Sequence, residues 1–142
     1  MIGKTINEIK VEDFAEFAKT ISESDVYMYA GITGDLNPAH INEAYAEKTF
    51  FKTRIAHGML TAGFISAILG MQLPGPGTIY MKQDLKFMAP VRIGDTIVAR
   101  AEVTEVIEEK NRIKLRTTCT NQEGTIVLDG EAVVSPPKAP KK

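Results

Sequence analysis

From Ile79 onward, apolar and polar positions alternate. Ile79, Met81, Gln83, Leu85 and Phe87 are interleaved with residues of exposed type, as are Ile97, Ala99, Ala101 and Val103. The same holds for Ile113, Leu115, Thr117 and Cys119, and for Ile126, Leu128, Gly130, Ala132 and Val134. A period of two marks strands that bury one face, and connections this short make the sheet antiparallel. Gly94-Asp95 and Gln122-Glu123-Gly124 supply turn chemistry between the strands. A further strand is expected near Asp13 to Lys19, where Phe14, Ala15, Phe17 and Ala18 cluster. A short helix follows it, with Ser22 as N-cap and Asp25 three residues on. Another begins at Asn42 and covers Glu43 to Lys48.

Between Arg54 and Lys82 lie 27 residues with no aspartate, glutamate, lysine or arginine. His57 to Met71 has helical character but falls short of the about 20 apolar residues that a membrane span needs. Five glycines, Pro74 and Pro76 also interrupt the uncharged stretch. A helix that is apolar nearly all round is buried on nearly all sides. Leu60, Phe64, Ile68 and Met71 follow the helical period on one face, and Gly58, Ala62, Ser66 and Gly70 form a small-residue stripe on another. Leu73-Pro74-Gly75-Pro76-Gly77 then stops the helix. An antiparallel sheet curved around such a helix gives an α+β architecture, the hot-dog arrangement. Its open edge strands predict pairing across a two-fold axis, as a homodimer.

Composition narrows the function classes. The 142 residues suit one domain, expected over residues 1–135, with a disordered Pro/Lys tail over residues 136–142. Without those seven residues, 14 basic side chains face 18 acidic ones, a net of -4 that argues against a nucleic-acid partner. Cys119 is alone, so no internal disulfide forms. Met1-Ile2-Gly3-Lys4 leads into polar sequence without an apolar signal segment, so a cytoplasmic protein with no membrane partner is expected. Two histidines and one cysteine leave little from which to build a zinc site, and no metal is expected.

Polar residues with catalytic potential concentrate in Gly31-Ile32-Thr33-Gly34-Asp35-Leu36-Asn37-Pro38-Ala39-His40. Gly34 permits positive φ beside Asp35, and Pro38 keeps Asn37 extended. Five residues is not a same-face helical spacing, so Asp35 and His40 meet only if the loop folds them together. A carboxylate paired with an imidazole is a general acid/base unit. On spacing alone, an Asx-turn aspartate and an unrelated surface histidine is the commoner arrangement.

The core Gly34-Asp35-x-Asn37-Pro38-x-His40 resembles the signature of the MaoC-like, (R)-specific enoyl-CoA hydratase family. The likeness runs on through His57-Gly58-Met59-Leu60, the Leu73-Pro74-Gly75 stop and Phe87-x-x-Pro90-Val91-x-x-Gly94-Asp95. It implies that Asp35 and His40 hold one water, which adds to C3 of a trans-2-enoyl thioester while a proton reaches C2 on the same face. It implies an oxyanion donor in the Gly58 backbone N–H, which helix-end physics supports independently. Ser66 matches a buried hydroxyl that helps hold the aspartate, or else simply fills the small-residue stripe. Asn37 is expected to fix the loop, and His57 to be a structural hydrogen bonder rather than a second catalyst. No cofactor is implied, coenzyme A being part of the substrate. A carrier-protein dehydratase, a thioesterase or an acyl-thioester binder on the same fold are the competing readings. The absence of a strong basic groove favours coenzyme A over an acidic carrier protein.

Overall fold

In the computed structural model, which describes residues 1–140, the alternating segments pair as expected. Strand β1 (Phe14–Thr20) precedes four helices: α1 (Glu23–Thr33), α2 (Pro38–Ile41), α3 (Glu43–Ala46) and α4 (Gly58–Met71). Five strands follow: β2 (Ile79–Gln83), β3 (Lys86–Phe87), β4 (Thr96–Ile107), β5 (Arg112–Thr120) and β6 (Ile126–Ser135). They form one antiparallel sheet in the order β1-β4-β5-β6-β2, with β3 also paired to β6. Helix α4 packs against β1, β4, β5 and β6 on the inner face, the hot-dog arrangement.

Register explains why the helix fits. Ala101 lies opposite Thr117, which lies opposite Gly130, so a row of small residues crosses the middle of the sheet. Val103, Leu115 and Ala132 form the next inward-facing row, and Ala99, Cys119 and Leu128 the row on the other side. Against them α4 buries Leu60, Thr61, Ala62, Ile65, Ile68 and Leu69. Each large aliphatic side chain so buried contributes about 1.5–3 kcal/mol. The Cys119 thiol donates weakly to the Thr61 carbonyl at 3.9 Å, and burial pushes its pKa up to about 12. It is therefore a packing residue with no thiolate to offer. Ser22 caps α1 with the expected reciprocal box: the Asp25 N–H donates to Ser22 Oγ at 3.1 Å, and the Ser22 N–H to Asp25 Oδ2 at 2.9 Å.

Three expectations need correction. Helix α4 is not buried all round: Gly58, Met59, Gly63, Ser66, Gly70 and Met71 are exposed along the side that the sheet does not reach. Of the small-residue stripe only Ala62 is buried, and Met71 does not join the apolar face. The segment 79–87 is not one half-buried strand. The chain breaks at Asp84, whose N–H donates to the Glu131 carbonyl, and whose own carbonyl lies where a side chain on Gly130 would be. Ile79, Tyr80 and Met81 consequently stand exposed on an edge strand. The tail also begins later than expected. Pro136 and Pro137 are buried, with the Pro136 carbonyl accepting from Asn111 Nδ2 at 2.8 Å and Pro137 packed on Gly77. Lys141 and Lys142, also assigned to the tail, lie outside the described residues. No described helix is long and apolar enough to cross a membrane.

Candidate active site

The loop after α1 folds in steps that its sequence dictates. Gly34 ends α1 in the left-handed region (φ 81°), where glycine carries no Cβ penalty. The Asp35 N–H then donates to Thr33 Oγ1 at 3.2 Å, and Asp35 Oδ1 accepts the Asn37 N–H at 3.3 Å. Asn37 caps α2 by accepting the Ala39 N–H at 3.0 Å, with Pro38 at the first helical position. This short helix turns His40 back toward Asp35. The Asn37 side chain is thus committed within the loop.

A carboxylate oxygen of Asp35 and one ring nitrogen each from His40 and His57 lie within 4.8 Å of one another. His40 Nδ1 sits 2.7 Å from the Ile55 carbonyl oxygen. A carbonyl only accepts, so Nδ1 carries the proton and a neutral His40 presents the Nε2 lone pair. His57 Nε2 lies 3.0 Å from the Asp35 backbone carbonyl and must donate to it in turn. The two imidazoles stack, with centroids 3.8 Å apart and planes 29° apart, and Tyr29 packs on His57 at 4.6 Å. His57 is buried and its Nδ1 has no hydrogen-bond partner. It therefore holds the Asp35 main chain and backs the His40 ring.

Three donors this close could be mistaken for a metal centre. A ligating imidazole places its metal in the ring plane, along the nitrogen lone pair. Two rings stacked with planes 29° apart keep their in-plane lone pairs in different planes, a poor arrangement for one shared ion. The geometry suits proton transfer instead.

Gly58 opens α4 directly after His57, so its N–H has no carbonyl one turn back within the helix. It faces a polar chamber of about 220 Å³ walled by Tyr29, Asp35, His40, His57, Met59 and Phe87. An apolar cavity of about 350 Å³ adjoins it, sharing His40, Gly58 and Phe87 and extending to Val91, Val127 and Leu128. Phe87 separates the two. A Cβ on Gly58 would come 2.6 Å from the Phe87 ring, so the glycine is needed for this close approach. Ser66 does not reach the dyad. It lies two turns further along α4, exposed, on the wall of a different cavity with Met59, Gly63, Met81 and Gln83. A helix rise of about 1.5 Å per residue places it some distance from Asp35 within the same chain.

Residue type alone assigns no role to Phe87, Tyr29 or the Ile55 carbonyl. Phe87 stands in a motif that the sequence displayed, but its contact with Gly58 depends on the break at Asp84. A main-chain acceptor such as Ile55 leaves no signature in residue type.

A family model described as MaoC like domain matches residues 6–125. An (R)-specific enoyl-CoA hydratase of Rhodospirillum rubrum is 60% identical over 130 residues, covering 92% of this chain and 90% of that protein. A 3-hydroxybutyryl-CoA dehydratase of Methylorubrum extorquens is 55% identical over 120 residues, covering 84% and 76%. The unliganded R-hydratase from Pseudomonas aeruginosa superposes with a TM-score of 0.92 at 44% identity, covering 96% of this chain and 88% of that one. With its helix-wrapping sheet and its folded Asp35–His40 loop, the chain belongs to the MaoC-like domain family.

Proposed function

We propose that the protein is an (R)-specific enoyl-CoA hydratase, a hydro-lyase that adds water reversibly to trans-2-enoyl-CoA to give (R)-3-hydroxyacyl-CoA. One observation carries this reading: a carboxylate, an imidazole with a free Nε2 and a helix-start N–H share one small chamber that opens onto an apolar cavity. The similarity to the Rhodospirillum hydratase supports the same substrate class.

The thioester carbonyl oxygen accepts the Gly58 N–H, where the helix dipole favours the negative charge that develops as C3 is attacked. One water is held between Asp35 and His40, whose carboxylate oxygen and ring nitrogen lie within 4.8 Å, a spacing that two hydrogen bonds can bridge. Its oxygen bonds to C3, the dyad takes its proton, and a proton returns from the dyad to C2. Both transfers occur from the side of the thioester that faces the dyad, so the addition is syn. The acyl chain enters the apolar cavity past Phe87. The reaction needs no cofactor and no metal, and coenzyme A arrives with the substrate.

The active unit is a homodimer, working in the cytoplasm. The exposed residues Ile79, Tyr80 and Met81 on the edge strand continue into the uncovered α4 face at Met59, Gly63 and Ser66. A second copy covers both at once and removes the open edge. Light scattering on the active protein should give twice 15.6 kDa, and Met81→Glu should shift the mass toward the monomer. A fully active monomer at assay concentration contradicts the pairing.

Asp35→Asn and His40→Gln should each lower kcat for crotonyl-CoA hydration by on the order of 10²-fold or more. The double variant should be far less than multiplicatively worse, since both groups act on one water. Independent, multiplying losses contradict the shared-water mechanism.

Gly58→Pro removes the N–H at a position where proline breaks no intrahelical bond. Gly58→Ala is its matched control: both variants introduce the Cβ that presses on Phe87, and only proline lacks the donor. At comparable Tm, proline should lose a further factor of about 10²–10³ in kcat. Equal impairment of the two assigns the glycine to the Phe87 contact alone.

A further inference from the structure

We infer that Glu43 and Arg54 are a positioning pair that fixes the Ile55 carbonyl and thereby keeps His40 in its Nδ1–H form. The inference rests on the reading of His40 as an acid–base residue. Ile55 lies in the connection between α3 and α4, which contains turns and one isolated bridge, Ile55 to Arg92, but no strand. A carbonyl in such a segment is free to rotate unless the adjacent N–H groups are committed. Here three successive donors are committed to three different elements. The Arg54 N–H donates to Glu43 Oε2 at 3.2 Å, the Ile55 N–H to the Ala39 carbonyl at 3.2 Å, and the Ala56 N–H to the Val91 carbonyl at 2.7 Å. Only the first of these acceptors is a side chain.

Glu43 is the first residue of α3, three positions after His40. Its Oε2 also accepts Arg54 Nε at 3.0 Å, and its Oε1 accepts the Thr53 hydroxyl at 2.7 Å. That hydroxyl, followed by desolvation, which acts the other way, and by the Arg54 contacts, leaves the Glu43 carboxyl below the usual carboxylate range. It is therefore ionised wherever the enzyme would be assayed. The far side of the Arg54 guanidinium donates to Glu23 Oε2 at 2.8 Å and to the Tyr27 hydroxyl. Both lie on α1, the helix that ends at Gly34 immediately before Asp35. One guanidinium thus ties together the segments that deliver Asp35, His40 and the Ile55 carbonyl. Glu23 and Glu43 are exposed and Arg54 is half-buried between them; ion pairs to exposed carboxylates add little to global stability, so the cluster serves geometry more than folding.

The test reads the His40 tautomer directly, by long-range proton–nitrogen spectra of the uniformly ¹⁵N-labelled full chain without ligand, alongside crotonyl-CoA kinetics. The native protein should show Nδ1–H. Glu43→Ala and Arg54→Lys should each populate the Nε2–H form and lower kcat by about tenfold, with KM within about twofold. Glu43→Gln, which keeps an acceptor for the Arg54 N–H, should recover part of both. Arg54→Lys preserves the charge and serves if Glu43→Ala does not fold. Retention of Nδ1–H in the variants overturns the pair, whether or not kcat changes. A tautomer shift with kcat intact supports the pair and contradicts the acid–base role of His40 instead.

Discussion

Packing of α4 into the trough of the sheet determines where that helix begins, and the rest of the site is built from its first turn. Ile65, Ile68 and Leu69, buried against the inward-facing rows of β4 and β5, hold the helix there. Its start at Gly58 is then a fixed point. His57, one residue earlier, reaches across to the Asp35 carbonyl, and His40 stacks on its ring. The loop is thereby fastened to the start of a helix whose inner face is buried in the core. In the proposed mechanism, such preorganisation lets one carboxylate and one imidazole act on a water without rearrangement at the moment of reaction.

The electrostatic arrangement is economical. His40 has Nδ1 committed to a main-chain acceptor, which leaves Nε2 for the proposed proton transfer. Beside it lie an apolar cavity and the ring of Phe87. In the proposed mechanism, charge that develops on the thioester oxygen is met by a helix start rather than by a cation.

Much of the fold was legible because it follows from local periodicity. The inward rows of β4 and β5 lie where the alternation of Ile97 to Val103 and Ile113 to Cys119 put them, and the Ser22–Asp25 box starts its helix. The Asp35 and His40 positions were legible from their motif, although spacing alone could not bring them together. What escaped depends on contacts distant in sequence. The exposed side of α4 reflects how far the sheet curls, which no single strand encodes. The break at Asp84 is dictated by its fit against Gly130, and the burial of Pro136 and Pro137 by Gly77 and Asn111. Ser66 has the residue type of a dyad partner but the wrong place within one chain. Nothing in the sequence sets Glu43 and Arg54 apart, and only the folded connection shows them meeting beside the Ile55 carbonyl.

The central claim is that one water, held by Asp35 and His40 on one face of the thioester, supplies the hydroxyl at C3 while the same dyad protonates C2. Hydration of crotonyl-CoA in deuterium oxide, followed by NMR assignment of the product, tests it directly. The account predicts (R)-3-hydroxybutyryl-CoA carrying a single deuterium at C2, on the same face as the new hydroxyl. Deuterium on the opposite face, or scrambled between both C2 positions during the first turnovers, would contradict a shared water and place the proton donor outside the Asp35–His40 pair.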